Sequence, residues 1–127
     1  MIIDLRDITP WLQEAFQVVT RLGLLRQNWD TYEAEAPNET ARGLARKVLM
    51  NMGEVELRPT RVDASAEGGI CISFVQGSRY ADIECFNSGE VLAVTSSGDG
   101  QPTVWEVPAT EFDIQSAVAA IQTYLNK

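Results

Sequence analysis

The chain has 127 residues, ten basic against eighteen acidic for a net charge of −8, and no histidine. That length suits one domain, residues 1–127, with room for a hydrophobic core that needs no metal or disulfide. The charge repels phosphate backbones and anionic lipids, which argues against direct nucleic-acid or membrane binding; it serves solubility or steers a basic protein partner.

The start, "MIIDLRDITPW", lacks a basic region followed by an apolar run. No apolar stretch reaches the ~20 residues that span a bilayer. With two cysteines, Cys71 and Cys85, this composition fits a cytoplasmic protein with reduced thiols.

Thr9-Pro10 opens a first helix, with Thr9 as the cap and Pro10 where a missing N–H is harmless. Trp11, Leu12, Ala15, Phe16, Val19 and Leu22 recur at helical spacing, up to Gly23. A second helix follows Pro37. Asn38 caps it, Ala41, Leu44, Ala45, Val48, Leu49 and Met52 form its apolar stripe, and Gly53 is its expected stop.

Beyond Gly53 the period changes to two. "VELRPTRVDA" is the weakest strand, because Pro59 cannot donate to a ladder and places it at an edge or bulge. In "GICISFVQ", Ile70, Ile72 and Phe74 alternate with Cys71, Ser73 and Val75. "SRYADIECF" follows a tight turn at Gly77, with Ala81, Ile83 and Cys85 facing the core and Asp82 and Glu84 facing water. "EVLAVTS" and "PTVWEVP" complete five strands joined by short turns, an antiparallel meander. A last helix starts near Thr110 and buries Phe112, Ile114, Ala117, Val118, Ile121 and Leu125. The expected fold is α+β in the order ααβββββα, with helices over one sheet face and a more polar second face.

Without histidine, the Ser–His and Cys–His pairs of nucleophilic catalysis are excluded, and the commonest metal ligand is missing. "SSGDGQP" lacks the lysine and strand-to-helix setting of a phosphate loop. No catalytic residue, metal or cofactor is therefore expected. Cys71 and Cys85, on neighbouring strands, read as small core residues, with a redox pair as the alternative. Asp82 and Glu84 share a face. They read as solvated acids, with acid–base work or a hard cation as the alternative, and Tyr80 and Phe86 beside them make a contact surface conceivable.

The segment between the first two helices, "NWDTYEAEAP" at 28–37, carries the candidate binding residues Trp29, Asp30, Tyr32, Glu33 and Glu35. Trp29 and Asp30 either lock the elbow, as a peg and a turn acceptor, or join the other three in an aromatic, acidic recognition patch. This stretch resembles a motif of small uncharacterised bacterial proteins, Asn-Trp-Asp-Gly-Tyr-Gly-Ala followed by a proline and a helix. Asn28, Trp29, Asp30, Tyr32, Ala34 and Pro37 match it, and Gly68-Gly69-Ile70 matches a strand start that comes later in those proteins. Thr31 and Glu33 stand where that motif has glycines, so a positive φ at Thr31 would be unfavourable. The resemblance implies a bacterial α+β domain and no activity.

Together these features favour a non-catalytic, acidic protein-binding or regulatory module. In size, acidity and composition the chain also resembles dimeric type III secretion chaperones, which makes a homodimer one alternative. A carboxylate-based small-ligand protein is another.

Overall fold

The computed structural model describes residues 9–30 and 34–127. Their order is α1 (Pro10–Leu22), α2 (Glu39–Glu54), β1 (Arg61–Ser65), β2 (Gly69–Gln76), β3 (Arg79–Phe86), β4 (Val91–Ser96), β5 (Thr103–Glu106) and α3 (Glu111–Leu125). The strands form one antiparallel sheet in sequence order, β1-β2-β3-β4-β5, so the expected α+β meander is present. No helix among the described residues is long and apolar enough to cross a membrane.

Register fixes the faces. Ile72 stands opposite Ile83, and Ile83 opposite Ala93, so one face collects Ile70, Ile72, Phe74, Ala81, Ile83, Cys85, Val91 and Ala93, all buried. Val19, Leu49, Met52, Ile114, Val118 and Ile121 from the three helices close over that face in one continuous core. Cys71, Ser73, Tyr80, Asp82, Glu84, Leu92 and Val94 belong to the opposite face, which no helix in the described residues covers.

The helix ends show where local signals hold. The Asn38 side chain accepts the Ala41 N–H at 2.9 Å, and Thr110 accepts that of Asp113 at 3.2 Å. Arg79 donates to the carbonyls of Tyr124 and Leu125, which ties the last turn of α3 to the start of β3. Arg46 reaches the Thr20 hydroxyl across the α1–α2 contact at 3.3 Å.

Four expectations need correction. Thr9 occupies the cap position of α1, but its hydroxyl makes no cap bond. Gly53 does not end α2, which runs on to Glu54. A Cβ at Gly53 would lie 2.7 Å from Leu12 Cδ2, so this glycine lets α1 and α2 approach closely, and the positive φ of the exit falls on Glu56. Pro59 precedes β1 instead of interrupting it, and that strand is an edge strand as expected. Phe112 is 74% exposed: it sits in the first turn of α3, ahead of the residues that meet the core.

Candidate functional site

The elbow between α1 and α2 is tied by its own backbone. Asn28, at φ 65°, donates its N–H to the Ala34 carbonyl at 2.7 Å. Asp30 Oδ1 accepts the Ala34 N–H at 3.1 Å, the turn role that aspartate chemistry suits. The half-buried Trp29 donates its indole N–H to the Glu35 carbonyl at 3.3 Å. Ala34 and Pro37 are buried, while the Glu35 side chain is exposed. Tyr32 and Glu33 lie outside the described residues, as does Thr31.

Asn87, in the β3–β4 turn, fastens this elbow to the sheet. It donates to the Ala36 carbonyl at 3.1 Å and accepts the Asn38 N–H at 2.9 Å, and the Asn38 amide donates to the Asn87 carbonyl at 3.1 Å. The Asn87 N–H donates to the Gly68 carbonyl at 2.9 Å, and a Cβ at Gly68 would touch Glu35 Cβ. The two stretches behind the motif resemblance, 28–37 and 68–70, therefore meet at one end of the sheet. Trp29 and Asp30 do structural work there. Among the described residues, nothing in that geometry gathers a convergent set of reactive groups.

A different constellation lies on the open sheet face. Cys71 pairs directly with Glu84, and Asp82 sits two residues before Glu84 on the same face. One ligand-capable atom from each of the three lies within 4.8 Å of the others. Ser65, at the end of β1, donates its hydroxyl to Glu84 Oε2 and accepts the Glu67 N–H. Tyr80 donates its hydroxyl to Asp82 Oδ2 at 2.6 Å. The second oxygen of Asp82, Oδ1, is sealed from solvent without a hydrogen-bond partner, and the residue is 8% exposed.

This corrects two expectations. Asp82 does not point to open water: Tyr80, the neighbouring strands and their side chains shield it. Cys71 and Cys85 are not a facing pair either. Cys85 is opposite Ile70, one residue off Cys71, so the thiols emerge on opposite faces of the sheet. Cys85 is a core residue, while Cys71 is half-buried on the open face.

The electrostatics follow from burial without countercharge. Among the described residues neither Asp82 nor Glu84 has an ion-pair partner, and Arg61 on this face is engaged by Asp63 at 3.0 Å. Burial raises the Asp82 pKa above its usual value, against the lowering effect of bonds from Tyr80 and the weakly donating Cys71 thiol. Burial also raises Glu84, opposed by the Ser65 bond and reinforced by the charges of Glu67 and Asp82. The Cys71 thiol is pushed up to about 12 by burial, then by the two carboxylates, so it stays protonated at neutral pH. Burial and its bond to Asp82 keep the Tyr80 phenol protonated as well.

Aliphatic side chains frame this acidic pit. Val94 lies beside Asp82 on β4, Val104 beside Val94 on β5, and Val75 beside Tyr80 on β2. Val75 is 58% and Val104 54% exposed, high for aliphatic residues on a sheet. Sequence pattern alone set Cys71 and Val75 on one face of β2, and Tyr80, Asp82 and Glu84 on one face of β3, as the register has them. It missed that the register brings a thiol and two carboxylates together with no ion-pair partner among the described residues.

No family model, curated protein sequence or solved structure matches the chain.

Proposed function

We propose that the protein is a non-catalytic binding module whose open sheet face receives a cationic side chain from a basic protein partner. The observation that carries this reading is the carboxylate pair of buried Asp82 and half-buried Glu84, which has no ion-pair partner among the described residues and stands beside exposed Val75 and Val104. An ionised acid shielded from water is unfavourable until it is paired. An arginine docking on this face can bond to the half-buried Glu84, and to the unpartnered Asp82 Oδ1 once the side chains covering that oxygen move aside, while its neighbours cover the valines. Aromatic and aliphatic surface around a charged centre is ordinary anatomy for a protein interface.

A second copy of the chain suits this face poorly. Asp63, Asp82, Glu84 and Glu106 share it with Arg61 alone among the described strand residues, so two such faces would repel. The exposed Glu35, near Gly68 at one end of the sheet, offers a secondary contact, and the net charge of −8 draws a basic partner from a distance.

The test compares three baits in capture from a host lysate at low and moderate salt: wild type, Asp82→Asn/Glu84→Gln, and Glu33→Lys/Glu35→Lys. A basic protein held in a salt-sensitive manner by the wild type, and lost with the sheet-face variant, is the expected result. A partner lost with the elbow variant alone would move the site to residues 28–37. A partner retained by both variants would remove the acidic reading.

A further inference from the structure

The same pit holds a feature that a partner's side chain does not account for, a thiol among the carboxylates. The ligand-capable atoms of Cys71, Asp82 and Glu84 lie within 4.8 Å of one another, so there is a point no more than about 2.8 Å from any of them. Zinc bonds of about 2.0–2.3 Å to oxygen and sulfur need inward rotations of less than ~1 Å from there.

One oxygen of each carboxylate is already held by a hydrogen bond. Tyr80 donates to Asp82 Oδ2, and Ser65 donates to Glu84 Oε2. Such outer hydrogen bonds commonly orient metal ligands. They leave Asp82 Oδ1 buried, on a residue 8% exposed, without a hydrogen-bond partner of ordinary geometry; the other donor close to this carboxylate is the weak Cys71 thiol. A sealed, unsatisfied carboxylate oxygen with no ion-pair partner among the described residues is the kind of group that an ion completes.

We propose that Cys71, Asp82 and Glu84 form a zinc site, with three protein ligands and a fourth position open to water. One thiolate and two carboxylates carry three negative charges, and the sulfur selects a borderline cation such as Zn2+ over Mg2+ or Ca2+. Binding replaces the S–H bond of Cys71 by a Zn–S bond and releases that proton to solvent, with no change of oxidation state. Affinity therefore rises with pH, because the empty site holds its thiol protonated. The inference goes beyond the partner reading and does not rest on it. Zinc and a partner's cationic group would exclude one another, so a chain that takes up the metal and no basic peptide keeps one reading and loses the other.

The test uses the full chain stripped with chelator, titrated with Cd2+ and followed by the thiolate-to-cadmium charge-transfer absorption in the ultraviolet. Zn2+ affinity is read by competition with a chromophoric chelator. One Cd2+ per chain, with a charge-transfer band that Cys71→Ser abolishes and Cys85→Ala leaves in place, is the expected result. Asp82→Asn, which keeps the thiol, should weaken Zn2+ binding at least tenfold, and circular dichroism of each variant confirms that it is folded. No band in the wild type, a band that survives Cys71→Ser, or an unchanged Zn2+ affinity in Asp82→Asn would overturn the site.

Discussion

Replacing Asp82 by asparagine should stabilise the metal-free protein at neutral pH, an unusual direction for a residue 8% exposed. Oxygens of Asp82 and Glu84 lie within 4.8 Å of one another, where two unit charges repel by about 3.5 kcal/mol at an effective dielectric of 20 and by about 0.9 kcal/mol in bulk water. Asparagine removes this repulsion and the desolvation of one charge. It retains an acceptor for the Tyr80 hydroxyl but loses the charge assistance, about 1 kcal/mol. The balance is a gain of about 1–2 kcal/mol, or roughly 4–8 °C in Tm for a chain of this size.

The sign of the pH dependence follows from the raised pKa values. The folded chain binds these protons more tightly than the unfolded one, so their stabilising contribution is fully present below the ordinary values of 3.8 and 4.5. It is lost as pH rises through the elevated folded values. The advantage of Asp82→Asn over the wild type should thus be largest at pH 7 and shrink at pH 5. Urea unfolding of both proteins at the two pH values, with chelator present, measures it. A variant less stable than the wild type at pH 7, or an advantage that grows at pH 5, would show that the Asp82 charge is compensated and refute the reasoning.

Other substitutions test the frame of the site. Gly69→Ala should cost about 2–5 kcal/mol in urea unfolding, because a Cβ there would stand 2.1 Å from the Cys85 carbonyl oxygen at φ 153°, a backbone contact no rotamer relieves. Asn38→Ala should cost about 1–3 kcal/mol, since it removes the α2 cap and one of the bonds to Asn87 that hold the elbow. Both thiols should react slowly with iodoacetamide at pH 7.5, Cys71 faster than Cys85, since both are pushed up to about 12 but Cys71 is half-buried and Cys85 sealed. Mass spectrometry over a time course reads the order, and faster labelling of Cys85 would place it on the wrong face.

Most of the architecture was legible because its signals are local. Ile70, Ile72 and Phe74 alternate with Cys71, Ser73 and Val75, Gly77 marks a two-residue hairpin, and Asn38 and Thr110 stand at helix starts. Gly53 misled because a glycine at a helix end and a glycine at a helix crossing look alike in sequence, and only the approach of Leu12 distinguishes them. Phe112 misled because helical periodicity says which residues share a stripe, not how far the stripe overlaps the core. The pit was invisible for a related reason. Cys71, Asp82 and Glu84 have no metal-ligand spacing, and they meet because a hairpin turn two residues long sets Cys71 against Glu84. The want of a countercharge among the described residues is a property of several strands together, and no motif records it.

The central claim, that the acidic pit on the open sheet face is a binding site for a cationic side chain, is tested most directly by nuclear magnetic resonance. The labelled, metal-free protein would be titrated with a capped Leu-Arg-Leu peptide. Saturable shifts confined to the amides around Cys71, Ser73, Asp82, Glu84 and Val94, absent in Asp82→Asn/Glu84→Gln, are the result this account predicts. Shifts confined to the helical side or the elbow, or none as the peptide is raised to millimolar concentration, would contradict it.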